Sequence, residues 1–443
     1  MAIDAFAFAE KLITRCKSHG ATDAEVMTGI SADISVTARN GKLEELIRAE
    51  SSGFSLRVFV NGRSSTISSS KFADADKLAE IAVDMAKVAP VDEFSSLAPP
   101  KLLYKANLDL DIYDAEEPPE KKLVELAMAV EDTALQIPGI TNSEGGDASF
   151  ASYENALVTS QGFAKSHKSS RTSLSVRVLA GSGHDMQRDY DYSSKRFFAD
   201  LDAPETLGKE AARRVLEKLN PRKVPSGKFP VIFDPRISRN LVSDLASGIS
   251  GASITRGTSY LKTKLGEQIF PAYINIIDDP HIKRGMASKP FDGEGVANKK
   301  LSIIENGILK TWLLDIRSAN QLKLITNGRA SRGSGGPPSP SCTNLYMQSG
   351  KISPQQMLKE IKSGFYVTEV FGMGINYTNG DYSQGAAGFW IENGELAYPV
   401  SEVTLAGNLL DMFQNLTPAN DLEMKYAINA PTLRIEGMTL AGI

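Results

Sequence analysis

Hydrophobic and polar positions follow two different periods along this chain, and the switches between them outline its elements. Phe6, Phe8, Ala9, Leu12 and Ile13 lead to Cys16 in a pattern that predicts an amphipathic helix ended by Gly20. Over residues 25–70 apolar and polar residues alternate, interrupted by Asn-Gly pairs at Asn40 and Asn61. That is the pattern of an antiparallel meander, because Asn-Gly supplies the two positive φ angles of a type I′ turn. A second helix is predicted over 74–88, with Leu78, Ile81, Ala82 and Met85 forming its buried face and Pro90 stopping it. Residues 89–104, with Pro90, Pro99 and Pro100, have linker composition.

A similar order of elements then returns. A predicted helix over 119–136 leads into strands over 148–188, and another helix covers 204–219. The strand sequence SLSVRVLAG at Ser173 echoes SLRVFVNG at Ser55, so a duplicated helix-strands-helix unit competes with chance similarity among strand-rich segments. Pro221, Pro225, Gly227 and Pro230 make a turn-rich break, which places a domain boundary within about ten residues of Ser226. Beyond it come a helix over 236–249, many hairpins and a short helix over 354–363. Ile-Glu-Asn-Gly occurs twice, at 304–307 and 391–394, each time between strand-forming residues; Asn379-Gly380 extends the signal, whereas Asn327-Gly328 sits in a predicted loop. The expected class is α+β. An N-terminal α/β region (1–222, with a subdivision near 89–104) precedes a C-terminal β-rich domain of hairpins (223–443), of open-barrel or layered-sheet type.

Composition narrows the function. Hydrophobic residues make up 42% and charged residues 23%, as in ordinary globular proteins. A net charge of -4 gives no general attraction to a phosphate backbone, so no direct nucleic-acid partner is expected. No run approaches the ~18 apolar residues of a membrane span, and the N-terminus lacks the basic and apolar regions of a signal peptide. With two cysteines, Cys16 and Cys342, a reducing, cytoplasmic setting is expected.

Candidate chemistry is sparse. The four histidines, His19, His167, His184 and His281, fall in four different predicted segments. Only His281, beside Asp278 and Asp279, has a carboxylate pair next to it, and a turn capped by Asp and fixed by Pro280 explains that cluster without a metal. His184 is expected at a hairpin tip. No serine sits in a strand-to-helix nucleophile elbow, Cys342 has no basic neighbour in sequence, and RGSGG at Arg332 lacks the Lys-Ser or Lys-Thr of a phosphate loop.

Two loops have compositions that packing alone does not demand. FDGEG, residues 291–295, alternates the carboxylates of Asp292 and Glu294 with glycine, and residues 371–388 are rich in glycine. Such backbone admits a second extended chain. Asp292, Glu294, Gly372, Gly374, Asp381, Ser383 and Gly385 are therefore candidate peptide-cleft residues, set against the plainer reading that the glycines serve hairpins and bulges.

The runs PFDGEGV, IIENGIL and WLLD within 290–315, and GDYSQGAAGFWIENGELAYPVSEVTLAGNL from Gly380, resemble the TldD/PmbA family, on its PmbA/TldE branch. The resemblance extends from about Asp23 to the end. In the catalytic branch of that family the helix opening the C-terminal domain carries His-Glu-x-x-x-His, whose imidazoles hold zinc and whose Glu serves as general base. Here LVSDLASGISG puts Ser243, Asp244 and Gly248 at those positions, and no Cys lies near 428–430, where a third ligand would fall. The resemblance therefore implies a non-catalytic subunit with no cofactor of its own. It would pair with a TldD-type catalytic chain that brings the zinc, act on flexible peptides, and form a homodimer when that partner is missing. The alternatives are a stand-alone peptide-binding or chaperone-like protein, and an autonomous metallopeptidase with ligands relocated to His281, Asp278 and Asp279.

Overall fold

The alternation over residues 25–70 becomes three antiparallel strands, β1 (Asp23–Arg39), β2 (Lys42–Val60) and β3 (Arg63–Ser69), in the computed structural model, which describes residues 4–333, 335–372 and 374–442. Two helices flank them, α1 (Ala5–Ser18) and α2 (Ala75–Val88). The same arrangement returns as α3 (Glu120–Leu135), β4 (Ile140–Thr159), β5 (Ala164–Ala180), β6 (Gln187–Lys195) and α4 (Pro204–Glu217). All six strands form one sheet in the order β3-β2-β1-β4-β5-β6, so the two units meet back to back across the β1–β4 pair. The echoing sequences at Ser55 and Ser173 occupy equivalent strands, β2 and β5.

The turns follow the Asn-Gly signal. Asn40, Asn61, Asn306 and Asn393 have φ of 52°, 48°, 51° and 51°, each followed by a glycine that is also at positive φ. At Asn327 and Asn379 only the glycine is at positive φ, and neither pair forms that turn. His184 lies in the turn between β5 and β6, as expected; its side chain, like Ser334 and Met373, lies outside the described residues.

Parity along the strands sends each sheet face to a different neighbour. Val26, Leu56 and Val58 pack under α1 and α2, while Ile34, Val36, Leu174 and Val176 pack under α3 and α4. The odd-numbered side chains Glu25, Ser55 and Arg57 point to the opposite face, where they meet the C-terminal half. In α2 the expected buried face holds for Ala82 and, half-buried, for Leu78, and fails for Ile81 and Met85. Ala75, Ala79, Ala82, Val83 and Ala86 are buried, and Ile81 and Met85 are exposed. Small residues let the helix sit close to the sheet, close enough for the Ser65 hydroxyl to donate to the Ala82 carbonyl at 2.6 Å. The proline-rich stretch after α2 is also no free tether. Tyr104 N donates to Gly295 O and Ala297 N to Leu102 O, strapping it to the FDGEG loop.

In the C-terminal half, β7 (Gly227–Phe233) leads into α5 (Pro235–Gly248). β7 lies between Ser363–Phe371 and Leu433–Ala441; the latter pairs with Glu395–Asn408, which pairs with Asp381–Glu392, which pairs back to Ser363–Phe371. The circuit closes into a small barrel, where sequence suggested an open barrel or layered sheets. Register shifts at Val367/Glu369 and Ala386/Gly388 bend the strands that must turn the corner. A five-stranded sheet that includes Ile276–Asp279, Asn344–Met347 and Ile428–Asn429 lies alongside. Leu241, Val242 and Leu245 of α5 join the core shared by these layers. No helix among the described residues is long and apolar enough to cross a membrane.

Candidate functional site

α5 starts where its sequence says it should. Asp234 caps it by accepting from Arg236 N at 2.9 Å, Pro235 fits the first turn, and Leu241, Val242 and Leu245 bury one face. This register leaves Asn240, Ser243 and Asp244 lining a cavity of about 400 Å³. Its other walls are Gly372, Ile375, Tyr377, Tyr382 and Gln384, from the glycine-rich loop and the strand after it. The structure thus brings the degenerate motif and the 371–388 loop to one cavity.

Asp244 dominates the electrostatics of this cavity. It is 6% exposed; its Oδ1 accepts from the Tyr377 hydroxyl at 2.8 Å, and its Oδ2 has no hydrogen-bond partner among the described residues. Burial pushes its pKa up to about 6, opposed by the Tyr377 hydrogen bond. Burial and the Asp244 charge together raise Tyr377 to about 12, and both also raise Tyr260 and Tyr382.

These residues do not fit a zinc ion. A Cβ added at Gly248 would lie 2.7 Å from Tyr260 Cε1 and 3.0 Å from Leu261 Cδ1, so the volume a histidine would need there is occupied by an aromatic ring. Ser243 offers only a hydroxyl, and one oxygen of Asp244 is committed to a tyrosine. Ile428–Asn429 does run beside α5, where Ser238 donates to Pro431 O at 2.7 Å, but it brings no thiol.

The remaining candidates are placed as follows. Gly372 opens onto the cavity. Gly374 lies against Ser383 O, and Ser383 N donates to Gly374 O at 2.6 Å, so this glycine serves a tight backbone crossing. Ser383 itself is exposed. The Phe371 ring covers Gly385, which is therefore not open to a second chain at its Cα. Asp381 is exposed and closes a turn, accepting from Asn379 Nδ2 at 2.7 Å.

Asp292 and Glu294 lie elsewhere, 2% and 3% exposed, and every oxygen that sequence offered to a peptide has a protein neighbour. Asp292 accepts from Glu294 N, Val296 N and Ala330 N at 2.9, 2.9 and 3.0 Å. Glu294 accepts from Ile316 N at 2.8 Å and lies 3.9 Å from Arg57. Arg57 and Arg332 share the carboxylate of Glu25, at 3.1 and 2.8 Å. This buried network locks the free face of the N-terminal sheet to the C-terminal half.

The relocated-ligand reading finds no support in the geometry. Asp278 is paired with Arg329 and accepts from Thr343 N and Oγ1, and Asp279 caps His281 N, as the turn reading expected. His281 Nε2 meets Asn298 Oδ1 at 2.7 Å. Among the described residues no three His, Cys, Asp or Glu side chains gather in a metal-binding group. Burial pushes the thiols of Cys16 and Cys342 up to about 12, which makes both inert as nucleophiles near neutrality.

Sequence reading missed the tyrosines. Tyr377 and Tyr382 lie within the 371–388 segment, whose sequence signal is its glycines. Tyr260 lies twelve residues beyond Gly248, and only the fold shows that its ring fills the space beside that glycine.

Comparison with known proteins agrees with this architecture. Residues 24–86, 113–219 and 226–442 match family models for domain 1, the central domain and the C-terminal domain of PmbA/TldA metallopeptidases. The chain is 38% identical to "Metalloprotease PmbA" of Escherichia coli O157:H7, over 95% of this chain and 92% of that one. It is 35% identical to "Metalloprotease PmbA homolog" of Haemophilus influenzae, over 99% and 95%. Among solved structures, a candidate modulator of DNA gyrase from Bacteroides thetaiotaomicron superposes with a TM-score of 0.92 at 29% identity, covering 100% of both chains. TldE from Thermococcus kodakarensis shares the fold with a TM-score of 0.87 at 22% identity, covering 98% of this chain and 100% of that one.

Proposed function

Because the chain belongs to the PmbA/TldD metallopeptidase family, we propose that it is the non-catalytic subunit of a two-chain zinc metalloprotease that degrades or trims flexible peptides in the cytoplasm. The observation that carries this reading is the state of α5. At the positions of the family's metal motif, Ser243 has no ligating nitrogen, Asp244 is bonded to Tyr377, and Tyr260 occupies the volume beside Gly248. A TldD-type chain supplies the zinc and the cleavage chemistry. This chain supplies a cavity beside the site, onto which Gly372 of the glycine-rich loop opens.

The test is co-expression with a TldD-type chain that carries His-Glu-x-x-x-His. The two chains are expected to co-purify, and the complex to hydrolyse an unstructured, fluorescence-quenched peptide, while this chain alone gives no turnover. Failure to associate at micromolar concentration, or turnover by this chain alone, contradicts the proposal.

A further inference from the structure

We infer that the Asp244 cavity binds a primary ammonium group of the peptide, either its amino terminus or a lysine side chain. This deepens the reading above and rests on it. The starting point is an unmet valence. Asp244 is more than nine-tenths buried, lines the cavity, and leaves Oδ2 without a donor. An unpaired carboxylate oxygen in that position is costly, and the group that relieves the cost is a donor carrying positive charge.

The surroundings select among donors. Tyr377 already occupies Oδ1 at 2.8 Å, so the two-pronged carboxylate contact of a guanidinium has only one oxygen to use. A hard divalent ion needs about six oxygen ligands, and the wall offers a single free carboxylate oxygen. A peptide carbonyl brings an acceptor where a donor is missing. An ammonium brings three donors. One is assigned to Asp244, whose Oδ2 lacks a partner among the described residues, and Tyr382 and Gln384, which line the same cavity, carry oxygens able to accept the others. The aromatic rings of Tyr377 and Tyr382 add the environment in which cations are favoured. Gly372 contributes backbone alone to the cavity wall.

The experiment titrates the purified full-length chain with four forms of the pentapeptide Ala-Ala-Lys-Ala-Ala, followed by calorimetry. The amino terminus is either free or acetylated, and the central residue is either Lys or Leu. The form lacking both amines is expected to bind at least about tenfold more weakly than the form with both, in keeping with the loss of a charge-assisted hydrogen bond. The singly blocked forms identify the source, since blocking the amine that enters the cavity reproduces the full loss. In Asp244→Asn the four forms should bind alike. Equal affinity of all four for the wild-type chain, no binding of any form, or discrimination that persists in Asp244→Asn overturns the inference. These outcomes are separable from the function proposed above. A heteromer that turns over peptide without amine preference removes this inference alone, whereas a heteromer that never forms leaves binding to the isolated chain measurable.

Discussion

Replacing Glu25 by alanine is expected to lower the stability of the chain by about 3–5 kcal/mol, because it strands the Arg332 guanidinium in the interior and leaves Arg57 only the more distant Glu294 carboxylate, at 3.9 Å. Glu25 on β1 faces Arg57 on β2 directly across the strand pair, and the same carboxylate receives Arg332 from the C-terminal half. The side chains of Arg57, Arg332 and Glu25 are 4%, 0% and 2% exposed. Ser55 and Ser95 take further guanidinium hydrogen bonds at 3.2 and 3.0 Å, but neither carries charge. Urea unfolding of wild type, Glu25→Ala, Arg332→Leu and the double variant measures the effect. The double variant should lose less than the sum of the single losses, since removing Arg332 relieves part of the uncompensated charge. A loss below about 1 kcal/mol in Glu25→Ala, typical of exposed pairs, would contradict the network's structural role.

The second large effect concerns Asp244 and pH. Its carboxyl titrates near 6 in the folded chain against an ordinary 3.8, so the folded state holds the proton more tightly than the unfolded state. The resulting stability is fully present below about pH 4 and is lost as pH rises through about 6, amounting to ~3 kcal/mol by pH 8. Asparagine at this position keeps an acceptor for Tyr377 and carries no charge at any pH. The stability of Asp244→Asn relative to wild type should therefore grow by ~3 kcal/mol between pH 4 and pH 8, read from urea midpoints at each pH. A difference that is flat across this range contradicts the buried, half-satisfied state of the carboxylate. An excess of stability in the variant also fits a residue kept for binding at the expense of the fold.

How much of this was legible in the sequence depended on whether the decisive interaction is local. Four type I′ turns followed from Asn-Gly pairs, because the conformation is set within two residues. The helix-strands-helix repeat was legible as order, and the fold supplied the reason, a single sheet in which β1 and β4 meet. The packing face of α2 was not legible. Periodicity pointed to Ile81 and Met85, yet the sheet accepts only a surface of small residues, and which surface it accepts is a long-range fact.

The candidate site divides in the same way. That Ser243, Asp244 and Gly248 carry no imidazole was legible, since that is a matter of residue type. Asp292 and Glu294 were read as facing a peptide; instead Asp292 is taken up by the backbone N–H groups of Glu294, Val296 and Ala330, and Glu294 by Ile316 N and by Arg57, a cation more than two hundred residues away. Gly385 is open in sequence terms, but the Phe371 ring, fourteen residues earlier, lies over it. Tyr260, which fills the space beside Gly248, left no sequence signal of that role.

The central claim is that this chain carries no metal centre and depends on a partner for one. Elemental analysis tests it most directly, on the chain purified alone in the presence of zinc and on the co-purified complex. The expected result is well under one zinc per chain for the isolated protein and about one zinc for each TldD-type chain in the complex, with peptide turnover following that zinc through chelation and readdition. About one zinc per chain in the isolated protein, lost on chelation together with a peptidase activity of its own, would contradict the account.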